Sequence, residues 1–378
     1  MMRKLTRAIS VALATMTFMP FAVVAQTEMR PTVIATGLQN PWALAFLPDG
    51  QMLVTERAGR LRLISAQGQI NDPIDGLPAI RAAGQGGLLD LVLDRDFKSN
   101  RQLYFCFSEP DVNQPESAAN STAMARARLS EDQRTLEDVT VIFRQMPKVA
   151  SSLHFGCRIV QLADGSLLLG LGDRYGRMQD AQNLSNHIGK IVRVMPDGSV
   201  PADNPFVNQP GAEPEIWSYG HRNIQGAVVG DDGTVWMHEH GPQGGDEINR
   251  IIAGENYGWP VVTFGENYGG GPIGQGITQA PGMIDPALHW TPSIAPSGFA
   301  QITSDRYGPQ WKGSLVAGSL KFMDLRRIEL KDAKVSSAST LLPKIGQRVR
   351  DVRQGPDGLL YLLTDQGNGQ LIRLDPVK

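Results

Sequence analysis

Residues 157–173 read CRIVQLADGSLLLGLGD: an apolar run, an Asp-Gly turn at Asp164, and a second apolar run. Asp-Gly supplies the positive φ that a tight hairpin turn needs, and apolar runs of strand length on either side of such a turn read as paired strands. The same build recurs along the chain. PWALAFLPDGQMLVTE (41–56) turns at Asp49, LLDLVLDRDFKSNRQLYFCFSE (88–109) near Asp96, and GAVVGDDGTVWMHEHG (226–241) at Asp232. GFAQITSDRYGPQWKGSLVAGSL (298–320) turns near Asp305 and VRDVRQGPDGLLYLLTD (349–365) at Asp357. Successive turns are 47, 68, 68, 73 and 52 residues apart, close to one propeller blade plus variable loops.

Six such units predict an all-β fold, a six-bladed β-propeller with mostly four-stranded antiparallel blades. Outer strands are expected in segments such as TAMARARLS (122–130), EDQRTLED (131–138) and VTVIFRQM (139–146). RPTVIATGL (30–38) is placed to pair beside QLIRLDP (370–376) and close the ring. No linker or low-complexity stretch marks a second domain, so residues 26–378 are expected to form one domain. Residues 1–25 read as a cleavable signal peptide: Arg3, Lys4 and Arg7 precede an apolar run that ends at Val23-Val24-Ala25. Export to the periplasm follows, with no later run long enough to span a membrane.

The formal charge of −2 includes those three leader cations and no leader acid, leaving the mature chain at −5. That balance argues against a nucleic-acid partner. Cys106 and Cys157 are too few for a disulfide scaffold. Both sit in apolar, strand-like surroundings, so buried thiols are the first expectation and one disulfide the second.

HEHGPQGGDEIN (238–249) gathers histidines, carboxylates and a Gly-Pro bend. His238 and His240 share a face if the segment is a strand, yet nothing nearby completes a zinc set. Hard oxygen ligands suit calcium better: the carbonyls of Gly241 and Pro242, with Asp246 and Glu247 beside them. Elsewhere, Arg222 and Asn223 stand before the fourth unit, Lys321 follows a strand of the fifth, and Arg348 and Arg350 are two apart on a strand. Each is an ordinary surface cation or amide alone. Together at equivalent blade edges they form a cationic cup suited to a small anion with several carboxylates.

The chain carries AGQGGLLDL (83–91), HFGCR (154–158), EIWSYGHRN (215–223), EHGPQGGDEIN (239–249), NYGWP (256–260), SIAPSG (293–298) and QRVRDVRQGPDGLLYLLTD (347–365). In that order they resemble the soluble quinoprotein aldose sugar dehydrogenases, which use pyrroloquinoline quinone (PQQ). The resemblance covers nearly the whole mature chain and implies oxidation of aldoses at C1 to the lactone. It implies His154 as general base, for which imidazole is suited, with Gln85 and Arg222 beside the reacting centre. Arg222, Asn223, Lys321, Arg348 and Arg350 match cofactor-contacting positions. Gly241 and Pro242 match the ligands of a calcium at the quinone, and Glu247 and Tyr257 those of a second, structural calcium. Trp290 matches a sugar-contacting indole.

The glucose-specific branch has an Asp before the base histidine; here the residue is Leu153. Broad specificity is therefore expected, with the group that orients His154 unassigned. The partners implied are an aldose and an electron acceptor, with the chain itself a monomer or homodimer. Two other readings fit a calcium-bearing propeller: a calcium-dependent hydrolase or lactonase, and a periplasmic sugar-binding protein without catalysis. The ring of cations and the backbone ligands favour the quinone.

Overall fold

The computed structural model describes residues 28–377 apart from 115, 342 and 344, so the expected signal peptide lies outside the described residues. Six four-stranded antiparallel sheets follow one another along the chain. The innermost strands are Pro41–Phe46, Leu88–Leu93, Gly156–Gln161, Ile224–Val229, Pro296–Gln301 and Val349–Gln354, which begin blades one to six. Met29–Leu38 completes blade six by pairing antiparallel with Gly369–Pro376, so the first described strand closes the ring.

Turn chemistry sets each inner hairpin. In blade three, Gly165 adopts φ +87°, the Leu162 N–H donates to the Ser166 carbonyl, and the Asp164 carboxylate accepts the Ser166 N–H at 3.0 Å. Asp49, Asp232 and Asp357 do the same two residues on. The turns near Asp96 and Asp305 differ. One holds a single helical turn, Phe97–Asn100, and the other a 3-10 turn, Pro309–Trp311. Neither has the Asp-Gly pair, and each buries an aromatic, Phe97 or Trp311, in its place. The segment 131–138 is no separate strand: its first residues turn, and its end opens Leu136–Arg144.

Apolar clusters fill the spaces between blades rather than a single centre. Each blade therefore depends on its neighbours to bury its faces. In the middle of the ring the contacts become ionic. Arg158 of blade three meets Asp90 of blade two at 3.1 Å and Asp351 of blade six at 3.0 Å. Arg353 reaches the same two carboxylates at 2.7 and 2.9 Å. The four groups tie three inner strands together across the channel.

The cysteines are bonded. Cys106, on strand Gln102–Pro110 of blade two, and Cys157, on the innermost strand of blade three, form a fully buried disulfide. The expectation of two free thiols is corrected: their strands pack face to face, which the sequence separation of 51 residues does not reveal.

Candidate active site

An antiparallel hairpin returns its end beside its start, so residues flanking an inner hairpin meet at the mouth opposite the Asp turns. In blade three, Gly156 pairs with Leu171, which brings His154, just before the first strand, to Asp173, just after the second. His154 Nδ1 lies 2.6 Å from Asp173 Oδ1. The other Asp173 oxygen accepts the Trp259 indole N–H at 2.8 Å, and Oδ1 also accepts the Tyr175 backbone N–H at 2.8 Å. A carboxylate can only accept here, so the proton sits on Nδ1 and the Nε2 lone pair is free. Asp173 thus does the orienting that Leu153 cannot. Burial lowers the His154 pKa below its ordinary value, and the Asp173 hydrogen bond opposes that shift. The imidazole is neutral at pH 7 and basic at Nε2.

Gln85 is joined to the base through its side chain, whose Oε1 accepts the His154 backbone N–H at 2.8 Å. Gln85, Asn223, Arg348 and Arg350 line one cavity of about 180 Å³, together with Arg57, Trp42 and His240. Arg348 precedes its strand instead of lying on it, yet both arginines reach Asp365, at 3.5 and 2.9 Å. Burial of Asp365 is outweighed by Arg350 and Arg348, which hold its carboxyl below the usual range. Lys321 stands exposed, its backbone tied to Ile294, and its neighbour Leu320 lines the cavity instead. The buried Nε atoms of Arg222 and Arg350 have no hydrogen-bond partner among the described residues. The unpaired buried donor of Arg350 at the open cavity fits an anionic ligand with several acceptors, as PQQ is.

A second, narrow cavity is lined by Arg222, Glu239, Gly241, Glu247 and Tyr257. Arg222 Nη1 donates to the carbonyls of His240 and Gly241 at 2.9 and 2.8 Å. Pro242 follows Gly241 in the buried part of the loop. Burial, and then the Glu239 carboxylate, raise the Glu247 pKa well above the ordinary range. The Glu239 and Glu247 carboxylates beside the Gly241 carbonyl are hard oxygen donors of the kind a divalent cation takes, and such an ion would relieve that cost. The side chain of Tyr257 is held elsewhere, with its hydroxyl on the Arg250 carbonyl at 2.6 Å and its ring stacked on His221.

Two expectations change, that for Asp246 and that for Trp290. Asp246 is no metal ligand: its oxygens are taken by the N–H groups of Gly241, Ile294 and Ala295 and by the Ser293 hydroxyl, pinning one loop to another. His238 is a core residue packed edge-on against Phe299, and His240 donates to the Pro296 carbonyl at 2.7 Å, in keeping with core and hydrogen-bonded roles rather than zinc binding. Trp290 lies on the outermost strand of blade four and packs against the cluster between blades four and five. His187, Glu213 and Glu215 do converge. However, His187 Nδ1 accepts the Met146 N–H, so Nε2 carries the proton toward Glu215 and offers no lone pair to a metal.

Residues 38–373 match the family described as Glucose / Sorbosone dehydrogenase. The chain is 43% identical to the aldose sugar dehydrogenase YliI of Escherichia coli, over 93% of this chain and 94% of that protein. It is 28% identical to the quinoprotein glucose dehydrogenase B of Acinetobacter calcoaceticus, over 93% and 88%. The apo-form of the soluble Escherichia coli aldose sugar dehydrogenase superposes with a TM-score of 0.87 at 41% identity, covering 92% of this chain and all of that one. The PQQ-bound aldose sugar dehydrogenase of Streptomyces coelicolor gives 0.74 at 30% identity, covering 92% and 98%. This chain belongs to the glucose/sorbosone dehydrogenase family.

Proposed function

We propose that the protein is a PQQ-dependent aldose sugar dehydrogenase that oxidises the C1 hydroxyl of aldoses to the lactone with broad specificity. The observation that carries this reading is the oriented His154–Asp173 pair at the mouth that also holds the cationic cavity. His154 Nε2 takes the proton of the C1 hydroxyl, and Asp173 stabilises the imidazolium that forms. A bound PQQ would supply the hydride acceptor for C1, and a bound Ca²⁺ would supply Lewis acidity. Asn223, Arg348 and Arg350, which line the cavity, would hold the carboxylates of the cofactor, with Arg222 and Lys321 as further cations that the resemblance implies, and the carbonyls of Gly241 and Pro242 would hold the ion. Glu247 would hold a second calcium, with Tyr257 beside it. Gln85 fixes the backbone of the base and faces the cavity.

Export to the periplasm, directed by residues 1–25, agrees with the disulfide, since such bonds persist in oxidising compartments. Among the described residues no helix is long and apolar enough to cross a membrane. The reading is tested by reconstituting the purified mature chain with PQQ and Ca²⁺ and following an artificial electron acceptor over an aldose panel. Acceptor reduction that needs both additions and disappears in His154→Ala is the expected result. Absence of turnover, with no PQQ binding by titration, refutes it and shifts the weight to the hydrolase or binding-protein readings. One aldose preferred a thousandfold over its epimers refutes broad specificity.

A further inference from the structure

Tyr175 sits beside the base. Its ring centroid is 5.3 Å from that of His154, the planes nearly perpendicular at 82°. His154 is buried, whereas Tyr175 is 53% exposed. An aromatic ring is thus left in solvent directly beside the base, where a ligand can cover it.

The backbone there is built to hold that position. Arg174 and Tyr175 both adopt left-handed φ, +59° and +65°, which side-chain-bearing residues avoid without compensation. The compensation is visible. The buried Arg174 guanidinium donates to Asn120 Oδ1 and the Ser151 carbonyl, both at 2.6 Å, and stacks over Phe155 at 3.6 Å. The Tyr175 N–H is fixed by Asp173, the group that also orients His154. One carboxylate therefore sets the positions of the base and of the exposed ring. Trp290, the aromatic expected from resemblance to contact sugar, is packed between blades.

We propose that Tyr175 is the aromatic platform for the substrate, packing against the apolar C–H face of the pyranose while C1 faces His154. Tyr175 is then a specificity-determining residue; this rests on the dehydrogenase reading above. Such a platform grips the ring without engaging particular hydroxyls, so it accepts epimers alike.

The test compares the mature protein with Tyr175→Phe and Tyr175→Ala, using D-glucose and D-xylose. In the reconstituted enzymes, Tyr175→Ala is expected to raise KM about tenfold for both sugars, with kcat within about threefold. Its thermal midpoint and the pH profile of kcat should not move, and Tyr175→Phe should keep KM within about twofold. Saturation-transfer NMR on the proteins without quinone gives a readout independent of turnover. Pyranose ring-proton signals should appear with the unaltered protein and Tyr175→Phe and vanish with Tyr175→Ala. An unchanged KM and retained signals in Tyr175→Ala overturn the proposal. So does a loss confined to kcat with a shifted pH profile, which would make Tyr175 a support for His154. Absence of quinone-dependent turnover, with sugar signals that still need Tyr175, would sink the dehydrogenase reading and leave the platform standing.

Discussion

Asp173 Oδ1 lies 2.6 Å from His154 Nδ1, and the same carboxylate receives the Trp259 indole. Because Asp173 accepts at both oxygens, it selects the imidazole tautomer with a free Nε2. Asp173→Asn keeps the shape but not that selection, and kcat should fall on the order of a thousandfold. The pH profile adds a signed check. Burial depresses the His154 pKa and Asp173 opposes it, so activity should rise with pH through a midpoint below about 6.5. In Asp173→Asn the midpoint should move lower still, while the plateau drops. A midpoint that rises contradicts the assignment.

The disulfide should dominate kinetic and thermal robustness. Joining residues 51 apart restricts the unfolded chain, which in the chain-entropy account stabilises by about 4 kcal/mol. Cys106→Ser with Cys157→Ser should lower the thermal midpoint by several degrees, measured by calorimetry, and leave KM for sugar unchanged.

Calcium should stabilise the protein even without quinone. Glu239, which is buried, and Glu247 face a common cavity, and a bound divalent ion removes their mutual repulsion. Adding Ca²⁺ to chelator-treated protein should raise the thermal midpoint by several degrees, and Glu247→Gln should abolish most of that rise. An identical response in the variant would place the ion elsewhere.

The ionic knot in the channel should be costly to break from one side. Arg158 is fully buried between Asp90 and Asp351. Arg158→Met leaves two carboxylates short of a partner, with Arg353 alone to serve both, and should destabilise by about 3–5 kcal/mol in urea titration. Asp351→Asn, which leaves one carboxylate for two arginines, should cost less.

The outcome at each site follows from how far apart in sequence its partners lie. The six hairpins were legible because apolar strand runs and, in four of them, the positive φ of an Asp-Gly turn are local properties, readable within a few residues. Even the closing strand was visible, since only two unpaired apolar segments remained at the ends. The cations and His154 were picked out by residue type and resemblance. Asp173 was missed although it stands nearly as far after the Asp164 turn as His154 stands before it. Following the hairpin register through that turn would have paired them. Trp290 illustrates the opposite error: an aromatic in a suggestive motif whose strand turns it toward the packing between blades.

By itself, then, the sequence determined the number of blades and the position of each inner turn, because these depend on near neighbours along the chain. Only the tertiary structure decided which side chains touch. The disulfide, the Asp90–Arg158–Asp351 knot, the use of Asp246 as a loop pin and the place of Tyr175 beside the base all depend on how the closed ring sets one blade against another. That alignment is fixed by long-range packing between sheets, which no local pattern encodes.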